Sequence, residues 1–355
     1  MTHTVLKLDQ LMAFLNWLYM QREEVFELEV PYLKKPVLKV EIPSDSQRGR
    51  VHSIITQSDF GDLTPGSSLK YDDILTCLLA SGVVQPVNWS EATQEIEGFV
   101  RRDLTGGERF GLIAFDTNAL MFRCYSLFER HTRTGQSRMR SPTYGYLLSS
   151  GVQRELAPLE FKYKQEDISK MKDQYQCAWF DFRDYLNQPG DNQRRFWLGR
   201  VEAANMQGSK NCVKCESELP TSPKEKGGDK DLVIIDSLVN HSKRQNVDAM
   251  VISYDDQFVA TAHQLGLRGI RLDRPATGSL EHSTYETEWT AIRDLIYVFS
   301  VLFGAVRAAW QQDEWTLFQG IWPGKKEENW MAEEVSVSTD DPRLSDILMM
   351  ARRLA

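Results

Sequence analysis

FGLIAFDTN, residues 110–118, is an apolar run that stops abruptly at a carboxylate and a polar pair. Leu112, Ile113, Ala114 and Phe115 read as a strand buried on both faces, the pattern of a parallel sheet covered by helices. Asp116 then sits at the carboxyl end of that strand, the edge at which ligands and chemistry collect in open α/β sheets. Thr117 or Asn118 can cap the helix that continues through Ala119, Leu120, Met121 and Phe122. Asp116 reads equally well as a helix cap and as a site residue, and other acids arriving at the same edge would decide between them.

Downstream, Asp229–Leu272 supplies a succession of short elements. A helical pattern (Leu232, Ile235, Leu238, Val239) leads to a buried strand at Ala249–Ile252, a helix opening with acids at Asp255, and an edge strand at Gly269–Leu272. Alternating helix and strand is the signature of a doubly wound parallel sheet. Between the two halves, residues 160–208 read as a helical hairpin rich in aromatic and basic residues, and Ser209–Gly228 as a polar loop. Most of the hairpin's aromatic residues read as core, with a minority that could stack on unpaired bases.

The expected organisation has three parts. Residues 1–104 form an α+β accessory domain, with a helix at Leu8–Tyr19 and two alternating strands in VFELEV and PVLKVEI; residues 108–275 form the α/β domain, elaborated at 160–228; and residues 276–355 form a helical extension. That tryptophan-rich extension serves either to cover a sheet face or to make a homodimer contact. At 355 residues with 26% charged and 10% aromatic residues, the composition is globular. A net charge of -8 gives no global pull toward nucleic acid, so a polyanion would need local basic residues or metal ions. Arg123, Arg130, Arg133, Arg138 and Arg140 form one such run, either a solvated face or a phosphate-gripping rim. MTHTVLKLDQ lacks a secretory signal pattern, and the apolar run Leu295–Trp310 is too short to span a bilayer, so no membrane association is expected. Five cysteines without a framework fit a reducing, cytoplasmic setting, and Cys212-Val-Lys-Cys215 is half of a zinc site without a matching second pair.

Four acids share one structural address in this reading. Asp116 and Asp255 end strands, Glu155 follows the extended run YGYLLSS and opens a helix, and Asp231 lies in a first helical turn. Uncompensated carboxylates crowded at one edge repel unless a divalent cation neutralises them, and hard oxygen ligands select Mg²⁺ or Mn²⁺. Asp229 competes with Asp231 and Asp256 with Asp255 for these positions. FDTN at 115–118, SSGVQREL at 149–156, GDKDLVII at 228–235 and ISYDDQF at 252–258 together resemble the PIN-domain nucleases, in the family's order and over about half the chain.

The resemblance implies an α/β/α sandwich around a central parallel sheet. It implies Mg²⁺ or Mn²⁺ held by Asp116, Glu155, Asp231 and Asp255 as both metal ligands and catalytic acids, with Asn118 and Ser253 orienting them from behind. It prefers Asp231 by its spacing to the apolar run and Asp255 because Phe258 follows three residues on. The implied activity is endonucleolytic hydrolysis of RNA, most readily single-stranded, with Arg123, Arg133, Arg138 and Arg140 as candidate nucleic-acid contacts. A structure-specific DNA nuclease and a catalytically silent RNA- or protein-binding scaffold stay open as alternatives. The separation of about 75 residues between Glu155 and Asp231 exceeds that of compact family members. No GxSxG, GxGxxG or GxxxxGK[ST] occurs, which excludes a nucleophile-elbow hydrolase, a dinucleotide cofactor site and a P-loop.

Overall fold

The computed structural model describes residues 2–43, 46, 48–63, 69–135, 144–157, 162–209, 211–219, 227–311 and 314–353. The chain divides into two compact units, one of Gln85–Pro158 and Phe196–Pro275, the other of Met1–Val84, Leu159–Arg195 and Ala276–Ala355.

The first of these is mixed α/β and holds a five-stranded parallel sheet. Its strands are β1 (Gly111–Phe115), β2 (Tyr144–Ser149), β3 (Cys212–Cys215), β4 (Asp248–Ser253) and β5 (Arg268–Arg271). Its helices are α1 (Trp89–Val100), α2 (Thr117–Met121), α3 (Cys124–Gly135), α4 (Ser150–Glu155), α5 (Asp191–Gly208), whose residues from Phe196 on belong here, α6 (Gly227–Gln245) and α7 (Asp256–Gln264). The order across the sheet is β3-β2-β1-β4-β5, with every neighbouring pair parallel. The chain winds outward from β1 through β2 to β3, then returns to the other side of β1 for β4 and β5. The β1–β4 seam is therefore the topological switch point, where the crevice beyond the strand ends opens. Every residue of β1 and β2 is buried, as is β4 beyond Asp248, because helices cover both faces of a central parallel strand.

CVKC belongs to edge strand β3, where the sequence reads as a polar loop. Residues three apart in an extended strand point to opposite faces, so Cys212 and Cys215 do not converge on one ion as half of a zinc site would. All five cysteines are free thiols.

The second unit corrects the three-part organisation. Its eight-stranded antiparallel sheet runs Thr2–Lys7, Glu334–Thr339, Trp315–Gln319, Ala305–Ala309, Val25–Glu29, Leu38–Glu41, Arg48–His52, Tyr285–Glu288. Blocks of N-terminal and C-terminal strands pair with one another in it, so the accessory segment and the supposed helical extension share one sheet. Among the described residues the tail carries a short helix, Glu327–Met331, and two longer ones, Trp289–Leu302 and Pro342–Arg353. Between them, Gly304 turns the chain with φ +82° and the next residues enter the sheet. Trp315–Gln319 is buried along nearly its whole length, so it lacks the alternation that marks a one-sided strand. The aromatic hairpin belongs to this unit up to Arg195. Phe180, Phe182 and Tyr185 are buried, and Arg194 is fully enclosed, bonded to Asp191 and the Leu302 carbonyl. Among the described residues, no helix is long and apolar enough to cross a membrane.

Candidate metal centre

The carboxyl-end rim of the parallel sheet is built from three strand-to-helix turns. Parallel register sets Phe115 beside Ile252, and the ladder continues one residue further, where the Asp116 N–H donates to the Ile252 carbonyl at 3.2 Å. Asp116 is itself the N-cap of α2. Its Oδ1 accepts from the Ala119 N–H, and its Oδ2 accepts from the Ser253 hydroxyl at the end of β4. Ser253 Oγ accepts in turn from the Asp255 N–H at 2.8 Å, so one hydroxyl ties both strand-end acids across the switch point. Asp255 caps α7, its Oδ1 accepting from the Gln257 and Phe258 N–H groups at 2.8 and 3.1 Å. The cap and site readings of Asp116 are therefore compatible, and neither Thr117 nor Asn118 is the cap. An oxygen that accepts one hydrogen bond keeps a lone pair for a second partner.

Glu155 arrives from β2, the other neighbour of β1, though not as the sequence suggests. It closes α4 rather than opening it, because Ser149 takes the N-cap position and accepts from the Gly151 N–H. A carboxylate at a helix C-terminus gains nothing from the helix dipole. It is held instead by the Thr117 hydroxyl, which donates to Glu155 Oε2. Thr117 is thus a positioning residue that sequence reasoning took only for a cap; the signal was its place directly after a strand-end acid. Asn118, expected in that supporting role, is exposed on α2.

Asp231 lies near the start of α6, half-buried and without a hydrogen-bond or ion-pair partner among the described residues. Burial raises its carboxyl to about 6, reinforced by the negative charges of Glu155 and Asp255 and opposed by Lys230. Asp116, only 4% exposed, rises to about 7; burial is the main cause, the Ser253 and Ala119 hydrogen bonds oppose it, and the Asp255 and Asp231 charges add to it. The charge of Asp255 bears on both Asp116 and Asp231, and that of Glu155 on Asp231. Asp256, the rival of Asp255, points to solvent and pairs with Arg271 at 3.0 Å, and the side chain of Asp229 lies outside the described residues.

Among the described residues, no three His, Cys, Asp or Glu side chains close into a cage for a metal ion.

The basic rim divides. Arg123 is 3% exposed and pairs with the fully buried Glu202 at 3.3 Å, so it is a core ion pair and not a surface contact. Glu202 also accepts from the Ser126 N–H and hydroxyl. Sequence spacing could not reveal this, because the partner lies 79 residues away on α5. Arg138, Arg140 and the side chain of Arg133 lie outside the described residues.

No family model matches the chain, and no curated protein does. Among solved structures it is similar to a domain of a functionally unknown protein from Methanocaldococcus jannaschii, with 14% identity and a TM-score of 0.27, over 46% of this chain and 92% of that one. A likeness at that level assigns neither fold nor function. What the chain itself shows at this edge is Asp116, Asp255 and Glu155 on three strand-to-helix units, with Asp231 near the start of α6.

Proposed function

We propose that Asp116, Glu155, Asp231 and Asp255 are the cation-binding centre of a nuclease that hydrolyses phosphodiester bonds in RNA, and that the parallel-sheet unit is a PIN-like α/β/α sandwich. The observation that supports this reading is the tie of Asp116 to Asp255 through Ser253, with Glu155 bonded to Thr117 beside Asp116 and Asp231 under the charges of Glu155 and Asp255. Like charges held together at a partly buried rim destabilise the folded chain unless the site serves a cation. A bound Mg²⁺ or Mn²⁺ would supply polarisation of a phosphoryl oxygen and acidification of water.

The chain's own residues supply the rest. Ser253 fixes Asp116 and Asp255 relative to each other, and Thr117 fixes Glu155. Asp231 presents carboxylate oxygens that no protein hydrogen bond engages among the described residues, available to a cation or to a proton. Exchange of either strand-end acid for its amide removes a charge while preserving shape and capping.

The test is cleavage of labelled single-stranded RNA, with single-stranded and branched DNA in parallel, in Mn²⁺, in Mg²⁺ and in chelator. Metal-dependent cutting of RNA that disappears in both Asp116→Asn and Asp255→Asn is expected. Cutting that survives in both variants, or in chelator, removes the proposed centre. Cutting of DNA alone moves the substrate to DNA, and binding without cutting moves the chain to a scaffold.

A further inference from the structure

Glu155 and Asp231 come from two helices, α4 and α6, and two contacts between those helices fix their register. At the start of α4, Ser149 Oγ and Ser237 Oγ share a hydrogen bond at 2.8 Å, and both residues are buried. Ser237 is tied twice more. Its hydroxyl donates to the Ile234 carbonyl at 2.6 Å, and the Cys215 thiol at the end of β3 donates to its oxygen at 3.5 Å. One turn back along α6, Ile234 covers Gly151 so closely that a Cβ there would lie 2.7 Å from Ile234 Cγ1 and 3.6 Å from Ile234 Cα. Isoleucine is stiff about χ1 in a helix, so an added methyl would push the helix rather than the side chain.

The same spacing leads on to the acids. Gly151 and Glu155 are four apart on α4, and Ser237, Ile234 and Asp231 step back three at a time along α6, so each set lies along one side of its helix. Advancing on α4 while retreating on α6, Ser149 meets Ser237 and Gly151 meets Ile234, and the next step sets Glu155 opposite Asp231. The charge of Glu155 is the largest influence on Asp231 after burial, as that register requires. Ser253 already ties Asp116 to Asp255, and Thr117 holds Glu155. Asp231 has no such bond among the described residues, so its place depends on where α6 sits.

We propose that the Ser149–Ser237 hydrogen bond and the Gly151–Ile234 contact are positioning elements that hold Asp231 at a set distance from Glu155 and so decide the size of cation that the rim accepts. The inference rests on the cation-centre reading above and adds what makes that centre selective. Mg²⁺ demands near-octahedral oxygens at about 2.0–2.1 Å, whereas Ca²⁺ accepts oxygens at about 2.3–2.6 Å in a flexible arrangement. A gap between acids that is set by packed backbone suits the demanding ion, and a gap that can breathe suits the tolerant one. Two helices locked through a glycine contact and a buried hydroxyl pair make a gap of the first kind.

The experiment titrates the full chain with Mg²⁺ and with Ca²⁺ by calorimetry at pH 8 and reads the ratio of the two affinities, with RNA cleavage measured on each variant. In Gly151→Ala, Mg²⁺ affinity is expected to fall about tenfold and Ca²⁺ affinity by no more than about twofold, the effect of disturbing a residue that orients a metal ligand. Combining Gly151→Ala with Ile234→Ala removes the atom that the new methyl meets, and the native ratio returns. Ser237→Ala deletes one hydroxyl and keeps the glycine contact. It shifts the ratio the same way by about threefold, and it carries the test should Gly151→Ala fail to fold.

A ratio unchanged in the folded variants overturns the assignment, since a loss of stability alone weakens both ions alike. A native chain that binds Ca²⁺ as tightly as Mg²⁺ overturns it too. RNA cutting with an unchanged ratio removes the clamp and leaves the nuclease reading standing. A shifted ratio in a chain that never cuts RNA removes hydrolysis and leaves the clamp standing. No binding of either ion by the native chain overturns both.

Discussion

The charge of Asp116 makes a sharp stability prediction for the chelated protein. An ordinary aspartate titrates at 3.8, and in the folded chain burial, with Asp255 and Asp231 adding to it, moves Asp116 to about 7 against the pull of two hydrogen bonds. The folded state therefore holds this proton more tightly than the unfolded one. Between those two values the native chain binds more protons, so stability falls as pH rises; the penalty is absent below about pH 4 and complete above about pH 7. Three pKa units correspond to about 4 kcal/mol. Asp116→Asn removes that penalty and retains an oxygen for the Ala119 N–H, but disturbs the Ser253 hydrogen bond at a cost of about 1 kcal/mol. At pH 8 in chelator the variant is therefore expected to be more stable by about 3 kcal/mol, the two curves meeting at about pH 4.5. Native-state hydrogen exchange at Leu112–Phe115 and Met250–Ile252 reads the opening of this unit by itself. Saturating Mg²⁺ should stabilise the native chain, by about 2.7 kcal/mol at a hundredfold excess over Kd, and the variant much less. Curves that run parallel from pH 5 to pH 8 would refute the claim that an uncompensated charge is buried at this position.

Three other perturbations follow from particular contacts. Thr117→Val keeps the shape but removes the hydroxyl that holds Glu155, so Mn²⁺ affinity measured by calorimetry should fall about tenfold with a stability loss of only about 1 kcal/mol. Glu202→Gln leaves the Arg123 guanidinium buried without its countercharge and should destabilise the parallel-sheet unit by about 3–5 kcal/mol in urea titration; a Glu202→Leu, Arg123→Met pair should recover most of it. Gly304→Ala places a Cβ 2.3 Å from Tyr185 Oη, the hydroxyl that donates to the Phe303 carbonyl at 2.8 Å, at a φ of +82°. It should cost about 2–4 kcal/mol in the antiparallel unit, and an unchanged urea midpoint would contradict the observed turn.

How far the fold could be read from the sequence depended on the range of the interactions involved. Buried runs such as Leu112–Phe115 and Ala249–Ile252 announce central parallel strands because each is apolar throughout and followed by a cap. The antiparallel hairpin of Val25–Glu29 with Leu38–Glu41 shows equally well in its alternation. What local pattern cannot carry is pairing between distant segments. Thr2–Lys7 joins Glu334–Thr339 across more than 300 positions, and nothing in either stretch names the other. The same holds for CVKC, four residues of mixed polarity that become a strand only because β2 offers them a free edge.

At the candidate site the legible part was the residue type and the illegible part was the support. Asp116 and Asp255 could be chosen because each ends a buried strand, and Asp255 preferred to Asp256 because Phe258 follows it three residues on; the structure turns Asp256 outward to Arg271. Glu155 was found for a reason the structure does not uphold: it terminates α4, and its position depends on a hydroxyl from the first turn of α2. A single buried serine performs the same service for two acids at once, donating to Asp116 and accepting from the Asp255 backbone. Both supports are hydroxyls contributed by the strand-to-helix turns, short side chains that reach a carboxylate without neutralising it. That choice has an electrostatic consequence. Had lysine or arginine supplied the support, the acids would be compensated and their affinity for a cation lost; a hydroxyl fixes direction while the charge stays unspent. The rim is therefore ordered and still negative, the combination that a site for a hydrated divalent cation demands.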